Sequence, residues 1–248
     1  MTLDDFVTVI VPHNRRQEEI YHDIVTSVGL PPPIVVGSTD KEDIARKVAA
    51  LVGERRSVTI GRKHYICAFC YNDEETALVT FDADTDYPFY GNLADSPLSF
   101  GNGTFLNERQ GMTYILGSNV KSDNQRVKVY PPRKIEKVLK EDIPEQVFLS
   151  LDIDVFDKEV TEAHDRPHYD VIKRLERALG IKTHLSFEEV LALSQQLLRG
   201  RTLVGVNIAE YDPQLEQPPY KTAELLKRYL KGVLSNDSHH NPNLSQNG

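Results

Sequence analysis

The 248-residue sequence has two cysteines, no tryptophan and no apolar run of about 18 residues. Two cysteines are too few for the framework of a disulfide-rich secreted domain. No transmembrane helix is predicted, and the N-terminal segment MTLDDFVTVIVP lacks the basic region and cleavage site of a signal peptide. We therefore expect a soluble, cytoplasmic protein without a membrane partner.

Positive charge is also scarce, since 29 Lys and Arg residues face 37 Asp and Glu residues, giving a net charge of −8. Phosphate contacts require clustered Lys and Arg, so nucleic acid is not expected as a partner. The sequence has no G-x-S-x-G motif, and GNGTFLNERQG lacks the lysine of a phosphate-binding loop. A small-molecule substrate is expected, without a nucleotide or other organic cofactor.

Short apolar runs separated by helical stretches dominate what is present. This pattern is typical of a parallel sheet covered on both faces, so we predict a three-layer α/β/α fold with a mostly parallel central sheet. One domain is expected over residues 1–234, followed by a disordered tail over 235–248. The predicted strands are 6–12, 34–38, 57–61, 77–84, 112–117, 146–154 and 202–210, with 126–130 as a further candidate. The predicted helices are 166–180, 186–200, 220–234 and one that begins near Thr39, where Thr39 and Glu42 can form a capping box.

Carboxylates stand at the ends of two predicted strands, and a histidine follows a third. The residues are Asp82, Asp84 and Asp86 in FDADTD, Asp152 and Asp154 in LDIDVFD, and His64 in TIGRKHY. Alternate residues of an extended strand point to the same side, so these carboxylates could converge. Two bare carboxylates about 4 Å apart repel by roughly 4 kcal/mol at an effective dielectric constant near 20, which a multivalent cation would relieve.

Five carboxylates and one imidazole favour Mn²⁺ over Mg²⁺ or Zn²⁺, and two ions bridged by shared carboxylates would accommodate the number of ligands. An aspartate at a strand end is often a turn former or a helix cap instead. The combination of two DxD-type strand ends with a histidine is what favours metal binding.

The four segments IGRKHY, DADTD, SLDIDVFD and GVNIAEYDP resemble, in the same order, segments of the ureohydrolases. This family, which contains arginase, agmatinase and formimidoylglutamase, has the motifs GGDHS, DAHTD, SxDxDxxDP and a late E-x-x-P. The resemblance implies an arginase-like fold, a homo-oligomer and two Mn²⁺ ions, with other divalent cations as alternatives. One ion would be held by His64, Asp82, Asp86 and Asp152, and the other by Asp82, Asp84, Asp152 and Asp154.

The resemblance also implies a hydrolase that cleaves a C–N bond of a guanidino or formimino compound. A hydroxide bridging the two metals would attack the guanidinium or amidine carbon. Asp86 would orient this hydroxide, and Glu210 would face the cationic nitrogen group of the substrate. Asp86, Glu210 and Asn102 are the catalytic residues predicted on this basis.

Several positions depart from the family pattern. Asp84 replaces a histidine, and Arg62 and Lys63 replace the glycine and aspartate before His64. Asn102 stands where the family has a histidine near the substrate, and an asparagine cannot titrate. These departures leave open a catalytically silent or regulatory metal-binding relative, or another hydrolytic reaction such as deacetylation.

The charge of the substrate also stays open. Glu210 favours a cationic end, whereas four arginines could meet an anionic one: Arg15, Arg16, Arg62 and Arg166. For Arg15 and Arg16 we favour a solvated loop or helix start. His164 and His168 could replace the missing proton shuttle, although we favour a surface loop position for both.

Overall fold

The computed structural model describes residues 2–37, 40–62, 69–83, 109–118, 122, 124–157, 160–161, 163, 178, 180 and 182–236. The strands are β1 (Phe6–Val11), β2 (Ile34–Val35), β3 (Arg56–Gly61), β4 (Thr76–Phe81), β5 (Thr113–Leu116), β6 (Val127–Tyr130), β7 (Gln146–Asp152) and β8 (Thr202–Ala209). They form one sheet in the order β2-β1-β3-β8-β7-β4-β5-β6. Every neighbouring pair is parallel, as predicted.

Helices cover both faces of this sheet. They are α1 (Arg15–Ser27), α2 (Lys41–Val52), α3 (Phe187–Leu197) and α4 (Lys221–Asn236). Tyr21 of α1, Val190 of α3 and Leu226 of α4 share one hydrophobic cluster with Ile10 of β1. On the opposite face, α2 packs against Val9 and its alternate neighbours in β1. Both faces of a strand are therefore buried, and the three-layer α/β/α prediction is confirmed.

The predicted strands 34–38, 77–84 and 146–154 end two or three residues earlier than the sequence indicates, and the last two of these ends position the site. Strand β4 ends at Phe81 and β7 ends at Asp152, because a 3-10 helix, Ile153–Val155, follows directly. The candidate strand at 126–130 is β6. The ends of β4 and β7 matter because each one places an aspartate at the carboxyl edge of the sheet.

The helix starts differ in how well the sequence predicts them. The capping box of α3 is present: Ser186 Oγ accepts from Glu189 N at 3.2 Å, and Glu189 Oε2 accepts from Ser186 N at 2.8 Å. Helix α2 begins one residue later than predicted, because Asp40 is the residue that caps it, accepting from Asp43 N at 2.7 Å. The bounds of α1 are not predicted from the sequence, and Asn14 caps its first turn.

Some predictions fall on parts of the chain that the structure does not describe. Most of the predicted helix 166–180 and residues 237–248 of the expected tail are among them. The division into one domain and a disordered tail stays a prediction. No helix among the described residues is long and apolar enough to cross a membrane.

Candidate metal centre

Asp82 and Asp152 lie side by side because β4 and β7 are neighbours in the sheet. Phe81 pairs with Leu151, so the two aspartates follow paired residues at the carboxyl edge. Asp82 N donates to Leu116 O of β5 at 3.0 Å, which extends the backbone pairing past the end of β4. Both aspartates are buried, at 3% and 2% exposure.

Asp154 reaches the same place by a different route from the one expected. Alternation along an extended strand predicts that Asp152 and Asp154 share one side, but Asp154 lies in the 3-10 helix. Asp152 caps this turn, since its Oδ1 accepts from Asp154 N at 2.9 Å. Asp154 Oδ1 in turn accepts from Ala83 N at 3.3 Å, next to Asp82. The turn folds Asp154 back towards β4.

The result is a cluster of three buried carboxylates. One oxygen each from Asp82, Asp152 and Asp154 lies within 4.8 Å of the other two. Oxygens on opposite sides of a hard divalent cation lie about 4 to 5 Å apart, given metal–oxygen bonds of about 2.0 to 2.5 Å. Carboxylate oxygens are also the ligands that Mg²⁺, Ca²⁺ and Mn²⁺ prefer. The donor set therefore fits a divalent metal ion.

Other residues of the predicted site lie outside the described residues. They are the ligands His64, Asp84 and Asp86, the catalytic candidate Asn102, and His164, Arg166 and His168. Their assignments stay predictions, as does the second metal ion. The structure thus brings together three of the six predicted ligands.

Gly117, directly after β5, packs closely against the backbone of Asp82. Its φ of +119° lies in a region that side chains rarely adopt. A Cβ atom there would lie 2.8 Å from Asp82 O and 2.7 Å from Val155 Cγ2. Only glycine allows the chain to pass this close to Asp82.

Glu210 follows β8, whose last residue, Ala209, pairs with Asp152. The glutamate is half-buried and has a φ of +56°, in the left-handed region. Such backbone conformations of residues other than glycine are strained and cluster at functional sites. Glu210 therefore lies at the same edge, one strand from the carboxylate cluster.

Three buried polar side chains form a row across the sheet, two residues before the carboxyl ends of their strands. This row is not predicted from the sequence. Thr59 Oγ1 donates to Asn207 Oδ1 at 2.8 Å, and Asn207 Nδ2 donates to Ser150 Oγ at 3.0 Å. The three residues are in register on β3, β8 and β7. Their only signal in the sequence is a polar residue inside each apolar run. The row holds the central strands in fixed register beneath Asp152 and Glu210.

Arg62, directly after β3, forms an ion pair with a buried carboxylate. Its Nε lies 3.1 Å from Asp212 Oδ2, and the side-chain exposures are 41% for Arg62 and 4% for Asp212. Asp212 Oδ1 accepts from Gln17 Nε2 at 2.9 Å and from Gln214 N at 3.1 Å. The pair ties the end of β3 to α1 and to the segment after β8.

The other two described arginines named above have different partners. Arg15 pairs with Glu19 at 3.0 Å on the surface of α1. Arg16 Nη2 donates to Tyr220 Oη at 2.6 Å. Neither one therefore has a buried carboxylate as its partner in these contacts.

Solved structures with the same parallel three-layer fold confirm the predicted arginase-like fold. The structure is similar to agmatine ureohydrolase of Thermoplasma volcanium, with a TM-score of 0.70, 16% identity, and 95% of this chain and 90% of that chain covered. It is also similar to proclavaminate amidino hydrolase from Streptomyces clavuligerus, with a TM-score of 0.69, 16% identity, and coverage of 95% and 92%. Arginase from Bacillus subtilis gives a TM-score of 0.63 and 18% identity, with coverage of 93% and 98%.

These likenesses concern the fold, since the identities are low. No protein-family model matches the sequence, and no curated protein matches it at a significant level. The function has to be argued from the site.

Proposed function

We propose that the protein is a metal-dependent hydrolase that cleaves a C–N bond of a small guanidino, formimino or related amidine compound. The observation that carries the proposal is the buried cluster of Asp82, Asp152 and Asp154. It lies at the carboxyl edge of an α/β sheet, where ligands bind in folds of this type. Structures that share the fold include a ureohydrolase, an amidino hydrolase and an arginase.

Two divalent ions, with Mn²⁺ as the first choice, complete the proposal. Asp82 and Asp152 would be shared, Asp154 and Asp84 would bind one ion, and His64 and Asp86 would bind the other. A bound divalent ion supplies a nucleophile at neutral pH by lowering the pKa of water. Backbone N–H groups already orient Asp152 and Asp154, at 2.9 and 3.3 Å, so little reorganisation is needed when an ion binds.

The protein side chains around the reaction have separate proposed roles. Glu210 would accept hydrogen bonds from the cationic nitrogen group of the substrate. Adjacent strands lie about 4.8 Å apart, so its position one strand from Asp152 suits a group bonded to the reacting carbon. Asp86 would orient the attacking oxygen, and Asn102 would donate a hydrogen bond to the substrate.

The same proposal extends to the location and partners of the protein. We propose a cytoplasmic homo-oligomer without a nucleic-acid or membrane partner. The net charge of −8 supports the absence of nucleic acid, because phosphates would be repelled. The homo-oligomer follows from the family resemblance.

The first experiment is elemental analysis after Mn²⁺ loading and exhaustive desalting, on the wild type, Asp154→Asn and Asp4→Asn. Asp4 is exposed and precedes β1, at the opposite edge of the sheet, so Asp4→Asn is a matched control for charge. Two ions per chain are expected in the wild type and control, and fewer in Asp154→Asn. Equal metal content in all three proteins would reject the proposed centre.

The second experiment measures release of urea, ammonia or formamide from a panel of guanidino and formimino compounds. Turnover by the Mn²⁺-loaded wild type and its loss in Asp154→Asn are expected. Tight binding of metal with no turnover of any compound would reject the hydrolase in favour of a catalytically silent metal-binding protein.

A further inference from the structure

We propose that Arg62 binds a carboxylate group of the substrate and that Asp212 holds its guanidinium group in place. The inference rests on the proposed hydrolysis and deepens it, because it names the substrate class as guanidino or amidino acids. Arg62 would be a specificity-determining residue, and Asp212 a positioning residue.

Arg62 lies at the same edge of the sheet as the carboxylate cluster, two strands away from Asp152. It follows Gly61, the last residue of β3, and β8 lies between β3 and β7. With adjacent strands about 4.8 Å apart, the ends of β3 and β7 are about 10 Å apart. Glu210 follows β8 and therefore lies between them. A molecule with a cleavable group at Asp152 and a carboxylate several bonds away could reach the Arg62 side chain.

The ion pair with Asp212 covers only part of the Arg62 side chain. Asp212 is buried, whereas 41% of the Arg62 side chain is exposed. Asp212 approaches the guanidinium group at Nε, and Asp212 is the only ion-pair partner of Arg62 in the described part of the chain. A guanidinium group has five N–H donors, so the Nη donors can still form a bidentate contact with a carboxylate.

Several hydrogen bonds hold Asp212 in place. Gln17 donates to Asp212, and its own Oε1 accepts from His13 N at 2.7 Å. Tyr21 Oη donates to Tyr211 O at 2.5 Å, next to Asp212. Burial, with the Asp212 charge, raises the pKa of Tyr21 far above its usual range, so this hydroxyl remains a donor. Because Asp212 is buried and held by these contacts, its Oδ2 is a fixed partner for the part-exposed guanidinium group of Arg62.

The test uses three compounds with the same guanidinium group and four-methylene chain. 5-Guanidinopentanoate ends in a carboxylate, agmatine in an ammonium group and pentylguanidine in a methyl group. The proteins are the wild type, Arg62→Gln, Arg62→Lys and Arg15→Gln, all loaded with Mn²⁺. Arg15 is 91% exposed and paired with Glu19, so Arg15→Gln controls for loss of one positive charge near the same edge.

We expect the wild type and Arg15→Gln to cleave 5-guanidinopentanoate with the highest kcat/KM. Arg62→Gln should lower that value about 10- to 100-fold, as expected for a charge-assisted hydrogen bond, and should affect pentylguanidine much less. Arg62→Lys should retain part of the preference, because lysine keeps the charge without the bidentate geometry. An equal loss with all three compounds, or no preference for the carboxylate in the wild type, would overturn the inference.

A separate binding measurement distinguishes this inference from the proposed function. If the wild type cleaves none of the compounds, the hydrolysis of this class fails, and calorimetry with the same compounds then decides the role of Arg62. Tighter binding of 5-guanidinopentanoate than of pentylguanidine, with the difference removed by Arg62→Gln, would uphold the inference. Equal or undetectable binding of the two compounds to the wild type would reject it.

Discussion

Two groups of buried carboxylate, a cluster of three and a single residue, lie at the carboxyl edge of one sheet and have different kinds of partner. Asp82, Asp152 and Asp154 bring three oxygens within 4.8 Å of one another. Asp212, after β8, meets Arg62 and the side-chain amide of Gln17. The first group offers three carboxylate oxygens to one divalent cation, whereas the second forms an ion pair with an arginine of the chain. A buried carboxylate is tolerated in either case, but only the first arrangement suits a metal centre.

The largest effect is expected for the metal affinity of Asp152 variants. Asp152→Asn and Asp152→Ala both remove a carboxylate ligand. Loss of a residue that only hydrogen-bonds to a metal ligand lowers metal affinity about 10- to 100-fold, so the fall in Mn²⁺ affinity should be larger than that. Asparagine can still accept from Asp154 N, so the metal-free Asn variant should be more stable than the Ala variant by about 1 kcal/mol. Calorimetric titration and thermal unfolding measure the two effects. Unchanged affinity in Asp152→Asn would remove the contrast between the two groups.

The row of Thr59, Asn207 and Ser150 links β3, β8 and β7, so breaking its hydrogen bonds should destabilise the whole sheet. Asn207→Leu leaves the hydroxyls of Thr59 and Ser150 without this partner, which should cost about 2 to 3 kcal/mol of unfolding free energy. The control is Thr8→Val, because the buried Thr8 hydroxyl has no hydrogen-bond partner among the described residues. That substitution should be neutral or stabilising in urea unfolding. A loss in Asn207→Leu no larger than in the control would refute the role of the row.

Gly117 packs against Asp82, which belongs to the three-carboxylate cluster. Gly117→Ala should cost about 1 to 3 kcal/mol, because the new Cβ meets Asp82 O in a strained backbone conformation. Mn²⁺ affinity should fall as well, since Asp82 must shift. Gly37→Ala, which meets no atom within 4 Å, should change stability by less than about 0.5 kcal/mol. If both variants bind Mn²⁺ like the wild type, the close packing of Gly117 does not position Asp82 for metal binding.

Asp212→Asn changes the single carboxylate that pairs with Arg62. The asparagine oxygen can still accept from Gln17 and Gln214, while the ion pair with the part-exposed Arg62 is lost. A loss of about 1 kcal/mol or less in unfolding free energy is expected. Mn²⁺ affinity should stay at the wild-type value. A fall like that of Asp152→Asn would mean that Asp212 belongs to the metal centre.

The smallest effect is expected at a carboxylate far from both groups, Glu189 in the first turn of α3. Burial raises the pKa of Glu189, but hydrogen bonds from Lys182 and Ser186 outweigh it, and the pKa lies below its usual value. A lowered pKa in the folded state adds stability above the unfolded pKa, and this stability is lost as the pH falls through the folded pKa.

Glu189→Gln keeps an acceptor for Ser186 but has no charge to titrate. The wild type should therefore exceed Glu189→Gln by a few tenths of a kcal/mol at pH 7, because surface ion pairs are weak. The difference should shrink below about pH 4, near the unfolded pKa of glutamate. Urea unfolding at pH 7 and pH 3 measures both values, and a difference independent of pH would exclude the charge as its cause.

The sequence predicts most strands well. It also predicts that Asp152 and Asp154 converge, but from an extended strand that is not present at Asp154. Apolar runs mark β1, β3, β4, β5, β7 and β8 because strands buried on both faces carry few polar residues. The step from Asp152 to Asp154 is a 3-10 turn, and the capping bond that closes it depends on local backbone geometry. Helix α1 was not delimited, and its cap, Asn14, gives only a weak local signal.

The sequence by itself determined the apolar runs, the capping box of α3 and the aspartates at two strand ends, since these are patterns among near neighbours in the chain. Only the tertiary structure decided that β4 lies beside β7 and that β8 lies between β3 and β7. That order brings Asp82 to Asp152 and Arg62 to Asp212. Gln17 and Asp212 are 195 residues apart, and their hydrogen bond exists because the sheet and α1 pack together. Strand order follows from the packing of the whole chain, which no local pattern of residues encodes.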